Sequence, residues 1–367
     1  MSTIPLTNMS VVKSIQKTQR TKRIESIDLL RGIVMIIMAL DHNRDYFHKS
    51  AFIFSPEDLA QTNIVLFFTR WITHFCAPVF IFLAGISAYL YGAKKSKREL
   101  SFFLLTRGAW LVLAELFIIS LFRTFNPSYH FFNLQVIWAI GISMIILSAI
   151  IHLNKTFILL SGILLIATHN LLDKIHVAGT GISSFLWALL HDPGYHSLGT
   201  FTFHIHYPLL PWIGVMAIGY YFGSLYNQSY DGRKRRRILL MGGSSAIVLF
   251  VLLRSGNLYG DPANWSLQKT TAFSIISFLN VTKYPPSLLY ILMTIGPAMI
   301  FLSLSEKPLN SLTQKILIFG RVPMFYYLAH ILLIHVLAVV GAVVLGYKWS
   351  DMILTGMVNS DPQLKGY

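Results

Sequence analysis

The chain has 367 residues, of which 54% are hydrophobic and 12% are charged, and its mean hydropathy is +0.59. Soluble domains carry roughly 25% charged residues, so this composition excludes an ordinary soluble fold and indicates a multi-pass membrane protein. The formal net charge of +15 does not require a nucleic-acid partner, because the basic residues cluster in short segments between apolar stretches. The single cysteine, Cys76, excludes an intrachain disulfide.

Apolar windows long enough to cross a bilayer follow one another along the chain. They lie at 27–47, 63–92, 101–122, 132–152, 156–171, 207–226, 237–254, 285–304 and 316–346. No internal repeat or low-complexity stretch interrupts them. We therefore predict an all-α fold, a polytopic membrane helical bundle of about nine to ten spans.

The basic segments determine the predicted orientation. Lysine and arginine concentrate in KTQRTKR at 17–23, KKSKR at 94–98, HLNK at 152–155 and GRKRRR at 232–237. By the positive-inside rule these segments face the cytoplasm. We predict a cytoplasmic N-terminus in a multi-pass protein of the cell inner membrane, with His48 and the 172–206 and 255–284 segments outside.

Three parts are expected along the chain: a cytoplasmic basic segment at 1–22, a transmembrane domain at 23–347 and an external tail at 348–367. The first window has no small-residue cleavage site after it, so an uncleaved signal-anchor is expected. Two outer segments contain short apolar runs, SSFLWALL at 183–190 and TTAFSIISFLNV at 270–281. Both are too short to span, and we predict re-entrant or interfacial pieces at the outer mouth.

The first window is unusually polar for a membrane span. The 24–48 segment reads IESIDLLRGIVMIIMALDHNRDYFH. Arg31 and His42 are eleven residues apart and differ by only about 20° around a helix. Asp28 precedes Arg31 by three residues, and Asp45 follows His42 by three. Ionisable side chains inside a membrane are costly and usually functional, so this helix is the predicted centre of the site.

Five motifs carry a family resemblance. They are RIESIDLLRGIVMIIMALDHNRDYFH, RWITHFCAPVFIFLAGISAYLYG, HYPLLPWIGVMAIGYYFG, KYPPSLLYILMTIGPA and FGRVPMFYYLAHILLIH. Together they resemble the bacterial branch of the heparan-alpha-glucosaminide N-acetyltransferase catalytic-domain family, from about Arg23 to Val344. The resemblance implies a multi-span acyltransferase-like domain in which acetyl-CoA enters from the cytoplasm. The acetyl group would pass to an acceptor on the far side.

A second, more distant resemblance concerns the first helix. IDLLRG with a histidine eleven residues after its arginine resembles the membrane O-acyltransferases of bacterial polysaccharides, whose catalytic histidine stands at the position of His42. The animal lysosomal relatives carry asparagine there and a histidine slightly later, so the resemblance leaves His48 in competition. Relatives are expected to continue with one more helix, so the 348–367 tail is expected to end before a last span.

Acyl transfer from acetyl-CoA needs a base for the acceptor's proton and a group that stabilises the oxyanion. His42, oriented by Asp45 or Asp41, is the predicted base. Arg44 or nearby backbone amides would stabilise the oxyanion. The alternative is that these charges form an ion-pair network that only anchors the helix end.

Other candidate residues have more than one possible role. Arg31 with Asp28 could bind a CoA phosphate or fix the helix. His74 could bind the cofactor opposite His42 or bridge two helices, and His206 could touch the acceptor. We predict a cavity lined by Arg31, His42, Asp45 and His74 and open to the cytoplasm.

Several polar groups remain outside this assignment. Glu115 could face the cavity with Arg107 or Arg123 as its partner. Tyr326, Tyr327, His330 and His335 form a stripe that is more typical of packing than of chemistry. The outer histidines, His191, His196, His204 and His206, lack the spacing of a zinc site, so no metal is expected.

The leading hypothesis is an integral-membrane acyltransferase with lipid, acyl-CoA and a glycan or small-molecule acceptor as partners. The alternative is a transporter or exporter of a small polar solute, because intramembrane charges also mark substrate pathways. Inverted repeats or paired broken helices would favour transport, and the sequence shows neither. The oligomeric state is left open, a homodimer included.

Overall fold

The computed structural model describes residues 24–48 and 53–354. The predicted N-terminal segment at 1–22 and the end of the tail at 355–367 lie outside the described residues. The helices are α1 Glu25–Phe47, α2 Ile64–Thr73, α3 Cys76–Gly92, α4 Lys97–Leu113, α5 Ser120–Thr124, α6 Val136–Ile150, α7 Lys155–Thr168, α8 Ile182–Leu190, α9 Leu209–Gly223, α10 Gly232–Ser255, α11 Thr271–Leu279, α12 Leu288–Leu304, α13 Ser311–Arg321 and α14 Pro323–Val344. The strands are β1 Phe131–Leu134, β2 Gly194–Leu198 and β3 Phe201–Ile205.

The predicted membrane bundle is confirmed in its main character. Among the described residues, six helical stretches are long and apolar enough to cross a bilayer: Ile64–Gly92, Lys97–Thr124, Lys155–Leu172, Leu209–Tyr226, Gly232–Ser255 and Pro323–Val344. The apolar helices α6 and α12 are shorter. The polar α1 is not among the six. The total of nine to ten spans and the cytoplasmic N-terminus stay predictions.

A small sheet corrects the expectation of a purely helical fold. The predicted 132–152 window begins as β1, which pairs in parallel with β3, while β3 pairs antiparallel with β2. Leu134 and Ile205 on one face of the sheet pack against Ala188 of α8. Apolar side chains of the 172–206 segment are thus buried against β1 and α8. Non-helical backbone in a membrane protein requires such cover by other parts of the protein.

A proline divides the last predicted window, 316–346. Val322 has φ −128° and ψ 47°, which is not helical, and α14 begins at Pro323. Proline lacks an N–H and disfavours helical backbone at the residue before it. Two helices, α13 and α14, therefore replace the single predicted span.

Glycines let α13 lie directly against the first half of α1. A Cβ added at Gly320 would stand 1.8 Å from the carbonyl oxygen of Asp28, and one added at Gly32 would stand 2.2 Å from that of Ile316. Contact this close requires small residues, as is common between membrane helices. The packing determines where Arg31, on the same face of α1, meets the neighbouring helices.

Candidate active site

A polar cavity lies where the second half of α1 meets α2, α5 and the loops that precede α2, α9 and α12. Its volume is about 340 Å³. Its ionisable lining groups are Asp41, His42, Arg44, Asp45, Glu57, Arg70, Arg123, His206 and Lys283. We call this space the outer cavity. The predicted residues His42, Asp41, Asp45, Arg44 and His206 all line it, whereas His74 does not.

Two arginines hold Asp41. Arg70 donates to both carboxylate oxygens of Asp41, at 2.9 and 2.7 Å, and Arg44 donates to one of them. Through its Nε, Arg70 also donates to Glu57 at 2.9 Å. The Asp41 carboxylate is thus hydrogen-bonded to Arg44 and Arg70. Within the described residues it makes no hydrogen bond to His42.

Glu57 extends this network to His74. The His74 Nε2 lies 3.0 Å from Glu57 Oε1, and the His74 side chain is fully buried behind the cavity wall. Burial by itself would raise the pKa of Glu57, but Arg70 and His74 hold it well below its usual range. The carboxylate is therefore ionised at neutral pH. The His74 side chain is thus linked to the outer cavity through Glu57.

His42 is held between a second histidine and an arginine. Its Nδ1 lies 2.7 Å from His330 Nε2, and its Nε2 lies 3.2 Å from Arg123 Nη2. His330 Nδ1 lies 2.7 Å from the Tyr326 carbonyl oxygen, which can only accept. With both rings neutral, His330 Nε2 must accept from His42 Nδ1–H. His42 Nε2 then presents its lone pair to Arg123.

The other predicted acid–base residues are arranged differently. Asp45 lines the outer cavity, and within the described residues its carboxylate has no hydrogen bond. The imidazole of His42 is therefore oriented by His330, not by a direct bond to Asp45. His48 is exposed at the end of α1 and is not among the residues that line the outer cavity.

A second space, the inner cavity, lies along the first half of α1. Its volume is about 420 Å³ and its walls are mainly apolar. Arg31 and Arg107 line it, and so does Tyr327, whose ring meets the edge of His42 at 5.9 Å between centroids. Met38, Phe80 and Val136 line both cavities. The two spaces therefore adjoin at these residues, one turn of α1 before His42.

Arg31 makes the predicted pair with Asp28. Its Nη1 lies 3.0 Å from Asp28 Oδ1 and donates to the Gly320 carbonyl at 3.2 Å, and its Nη2 donates to Ser87 Oγ at 2.9 Å. The guanidinium thus joins α1, α3 and α13. Arg31 therefore fixes three helices and also lines the inner cavity, where it could bind a CoA phosphate.

His206, in the loop that precedes α9, lines the outer cavity beside Tyr284. Its ring meets Tyr284 edge-on at 4.5 Å, and its Nδ1 lies 3.1 Å from that of His204. Burial lowers the pKa of His206 and brings that of His204 to about 4. Both rings are therefore neutral at neutral pH. Among the described residues, no group of three or more potential ligands could hold a metal ion.

Sequence reasoning missed several members of this site. Arg70 and His330 lie in apolar windows and Arg123 directly follows one, and that signal could have identified them. Glu57 and Lys283 lie in loops, where no pattern distinguishes them from surface charges.

Two polar groups outside the outer cavity have structural partners. Glu115 accepts from the Trp138 backbone N–H at 3.1 Å and so caps α6. Arg123, one of its two predicted partners, interacts with it electrostatically. His335, the last member of the α14 stripe, lies near the carbonyls of Phe122 and Met352 at 2.9 and 3.0 Å. These two groups stabilise the helices that frame the site.

One sequence family matches the chain. The model described as heparan-alpha-glucosaminide N-acetyltransferase, catalytic, matches residues 23–255, which is more than half of the chain. The matched segment runs from the start of α1 to the end of α10 and contains Asp41, His42, Arg70 and Arg123. A comparison with curated proteins gives no match.

Proposed function

The chain belongs to the heparan-alpha-glucosaminide N-acetyltransferase catalytic family, and from this premise we propose which reaction its cavities perform. It is a membrane acyltransferase that moves an acetyl group from cytoplasmic acetyl-CoA to a sugar or related acceptor on the other side. His42 is the base. The acetyl-CoA donor is a co-substrate, and no metal takes part in the proposed steps.

The observation that carries this proposal is the meeting of two unlike cavities beside His42. The inner cavity is apolar and bounded by Arg31 and Arg107, which suits a pantetheine arm whose phosphates remain at the arginines. Arg31 and His42 are separated by roughly 16 Å along α1, a distance that an extended arm can cover. The outer cavity is polar and suits a hydroxyl-rich or amino acceptor.

The chemistry follows from the tautomer of His42. Its Nε2 takes the proton of the acceptor O–H or N–H as the acceptor attacks the thioester carbonyl. A tetrahedral intermediate forms, and its oxyanion is stabilised by the Arg123 guanidinium. The C–S bond then breaks, and the CoA thiolate receives the proton from His42. The net result is one acyl–acceptor bond formed and one thioester bond broken.

Arg123 has to change partner during this cycle. Its guanidinium faces the same nitrogen that accepts the proton, at 3.2 Å, and two adjacent positive charges repel. An acceptor that inserts between them frees His42 Nε2, and Arg123 then meets the oxyanion. Arg44, which already binds Asp41, is the alternative oxyanion donor.

We infer from the basic segments that the donor enters from the cytoplasmic side. The basic segment 94–98 follows α3, whose Ser87 accepts a hydrogen bond from Arg31 near the start of α1. The positive-inside rule assigns this end, and the basic segment 232–237, to the cytoplasm. The protein is then a multi-pass protein of the inner membrane. The acceptor reaches His42 from the opposite side through the outer cavity.

A vesicle experiment tests the proposed function. Purified protein is inserted into sealed vesicles, its orientation is determined by labelling a cysteine introduced at position 96 in a Cys76→Ala background, and radiolabelled acetyl-CoA is supplied on one face only. We expect acetyl transfer to glucosamine or glycan acceptors only when the donor is on the face of position 96. Acceptor uptake without acetylation would instead support a transporter.

His330 is proposed as the residue that positions His42. His330→Leu removes the acceptor of His42 Nδ1–H and allows the other tautomer, so we expect kcat to fall roughly 10- to 100-fold with little change in KM. His330→Gln keeps an acceptor oxygen and should recover part of the loss. The pH dependence of kcat should shift in the leucine variant.

His335→Gln is the matched control for this prediction. His335 lies on the same helix, where its ring nitrogens meet main-chain carbonyls and its ring stacks on Phe125. Its substitution should therefore lower thermal stability without moving the pH profile. An unchanged pH profile in His330→Leu would show that His330 has a packing role only.

A further inference from the structure

Lys283 is a buried cation that has no role in the steps of the proposed reaction. It lines the outer cavity, and only 7% of the residue is exposed. Its ammonium lies 5.2 Å from the ring centroid of Tyr284. Within residues 24–48 and 53–354, no carboxylate stands within 4.0 Å of it and its side chain makes no hydrogen bond. A buried charge is costly unless it is paired.

The charges of the outer cavity do not balance. Four cationic side chains line it, and these are Arg44, Arg70, Arg123 and Lys283. Among the described residues three carboxylates line it, and two of them, Asp41 and Glu57, are bound by arginines. The third, Asp45, makes no ion pair with Lys283 within the described residues. The described lining therefore has one more cation than carboxylates, and Lys283, which makes no ion pair there, faces the space for the acceptor.

The loop that carries Lys283 is rigidly held. Thr282 donates to Asp261 through both its backbone N–H and its hydroxyl, at 2.8 and 2.9 Å. The fully buried Arg254 donates to the Ala263 carbonyl at 2.6 Å and to three carbonyls at the end of α11. These bonds fix the backbone before Lys283, and Ser287, which donates to Asp261 at 2.7 Å, fixes the backbone after it. Its ammonium is thus presented to the cavity at little ordering cost, as expected of a binding group.

We propose that Lys283 determines acceptor specificity, because its ammonium binds an anionic group of the acceptor in the outer cavity. The anionic group is a carboxylate, a sulfate or a phosphate. All three carry a negative charge and oxygen atoms that accept hydrogen bonds from an ammonium. The faces of Tyr284 and His206 beside it offer a surface for a sugar ring. This inference rests on the proposed function, because it takes the bound molecule to be the acceptor of the acetyl group.

The position of Lys283 argues against the donor as the source of this anion. Lys283 does not line the inner cavity, where Arg31 and Arg107 stand. The phosphates of a donor whose thioester reaches His42 from that cavity would remain at its far end. An anionic lipid headgroup is the other source of the same chemistry, and the experiment separates it from the acceptor.

The test compares sugars that differ by one anionic group. Acetyl transfer is measured in detergent without added phospholipid, with glucosamine against glucosamine 6-sulfate and 6-phosphate, and with glucose against glucuronic acid. Wild-type protein should prefer an anionic member by roughly 10- to 100-fold in kcat/KM, mainly through KM. Lys283→Met should lose the preference and still acetylate the neutral sugars, while Lys283→Arg should keep part of it.

Lys269→Met is the matched control, because Lys269 is exposed on the same outer segment and its loss changes the net charge equally. It should leave the preference intact. A preference that persists in Lys283→Met, or that is absent in wild-type protein, overturns the proposal. A preference that appears only when anionic phospholipid is added assigns Lys283 to a headgroup and overturns it as well.

A binding measurement separates this proposal from the proposed function. The same sugars are titrated into purified wild-type and Lys283→Met protein without acetyl-CoA, and thermal stabilisation is recorded. Anionic sugars that stabilise only the wild type support the subsite even if no acetyl transfer is found. In that case the acyltransferase proposal fails and the anion subsite stands; equal stabilisation of both proteins refutes the subsite.

Discussion

His42→Ala is expected to lower acetyl transfer by roughly 10²- to 10⁴-fold, the usual cost of removing a general base. His42 Nε2 is the basic nitrogen at the junction of the two cavities, with its other nitrogen bonded to His330. Expression and CoA binding should be largely unchanged, because the inner cavity does not include His42. Acetyl-CoA consumption with amino sugar and glycan acceptors measures the effect.

His48→Ala is the matched control for His42→Ala. Its side chain is exposed at the end of the same helix, so we expect a much smaller loss than for His42→Ala. A larger loss would mean that this chain follows the pattern of its animal relatives. Full activity in the double variant His42→Ala/His48→Ala would refute both assignments and return the question to the transporter alternative.

Arg70→Met is expected to have the largest effect on stability. Arg70 donates to Asp41 and to Glu57, and its loss leaves two carboxylates short of a cation in a largely buried site. Removing one partner from a buried ion pair costs about 3–5 kcal/mol of unfolding free energy. Thermal unfolding in detergent should register a clear drop in Tm relative to the wild type.

Compensating substitutions test whether the effect is electrostatic. The triple variant Arg70→Met/Asp41→Asn/Glu57→Gln removes the stranded charges and should recover part of the lost stability. Arg107→Met is the control, because Arg107 is exposed and, within the described residues, has no ion pair. A triple variant no more stable than Arg70→Met would show that the arginine acts through packing.

Much of the architecture was readable from the sequence because it depends on local composition. A lipid environment requires long apolar helices, so the windows predicted them without knowledge of neighbours. The cost of intramembrane charge identified α1 as the centre of the site, and its helical period put Arg31 and His42 on one face. Both residues do line adjoining cavities.

The sequence patterns that could have predicted the sheet and the break between α13 and α14 are weak. Phe131–Leu134 is as apolar as a span, and only its pairing with β3 makes it a strand. Strand pairing joins residues some seventy positions apart and cannot be inferred from a hydropathy window. Pro323 could have predicted the break between α13 and α14, but the apolar stretch around it is continuous.

The partners of His42 were decided by tertiary structure alone. The sequence offered Asp41 and Asp45 because they are neighbours on α1. Asp41 is instead drawn to Arg70 from α2, and His330 arrives from α14, 288 residues along the chain. A helical period says which side chains share a face, but it says nothing about which other helix faces them. The contact between His42 and His330, the arginines that bind Asp41 and Glu57, and the absence of an ion pair at Lys283 within the described residues all depend on that second fact.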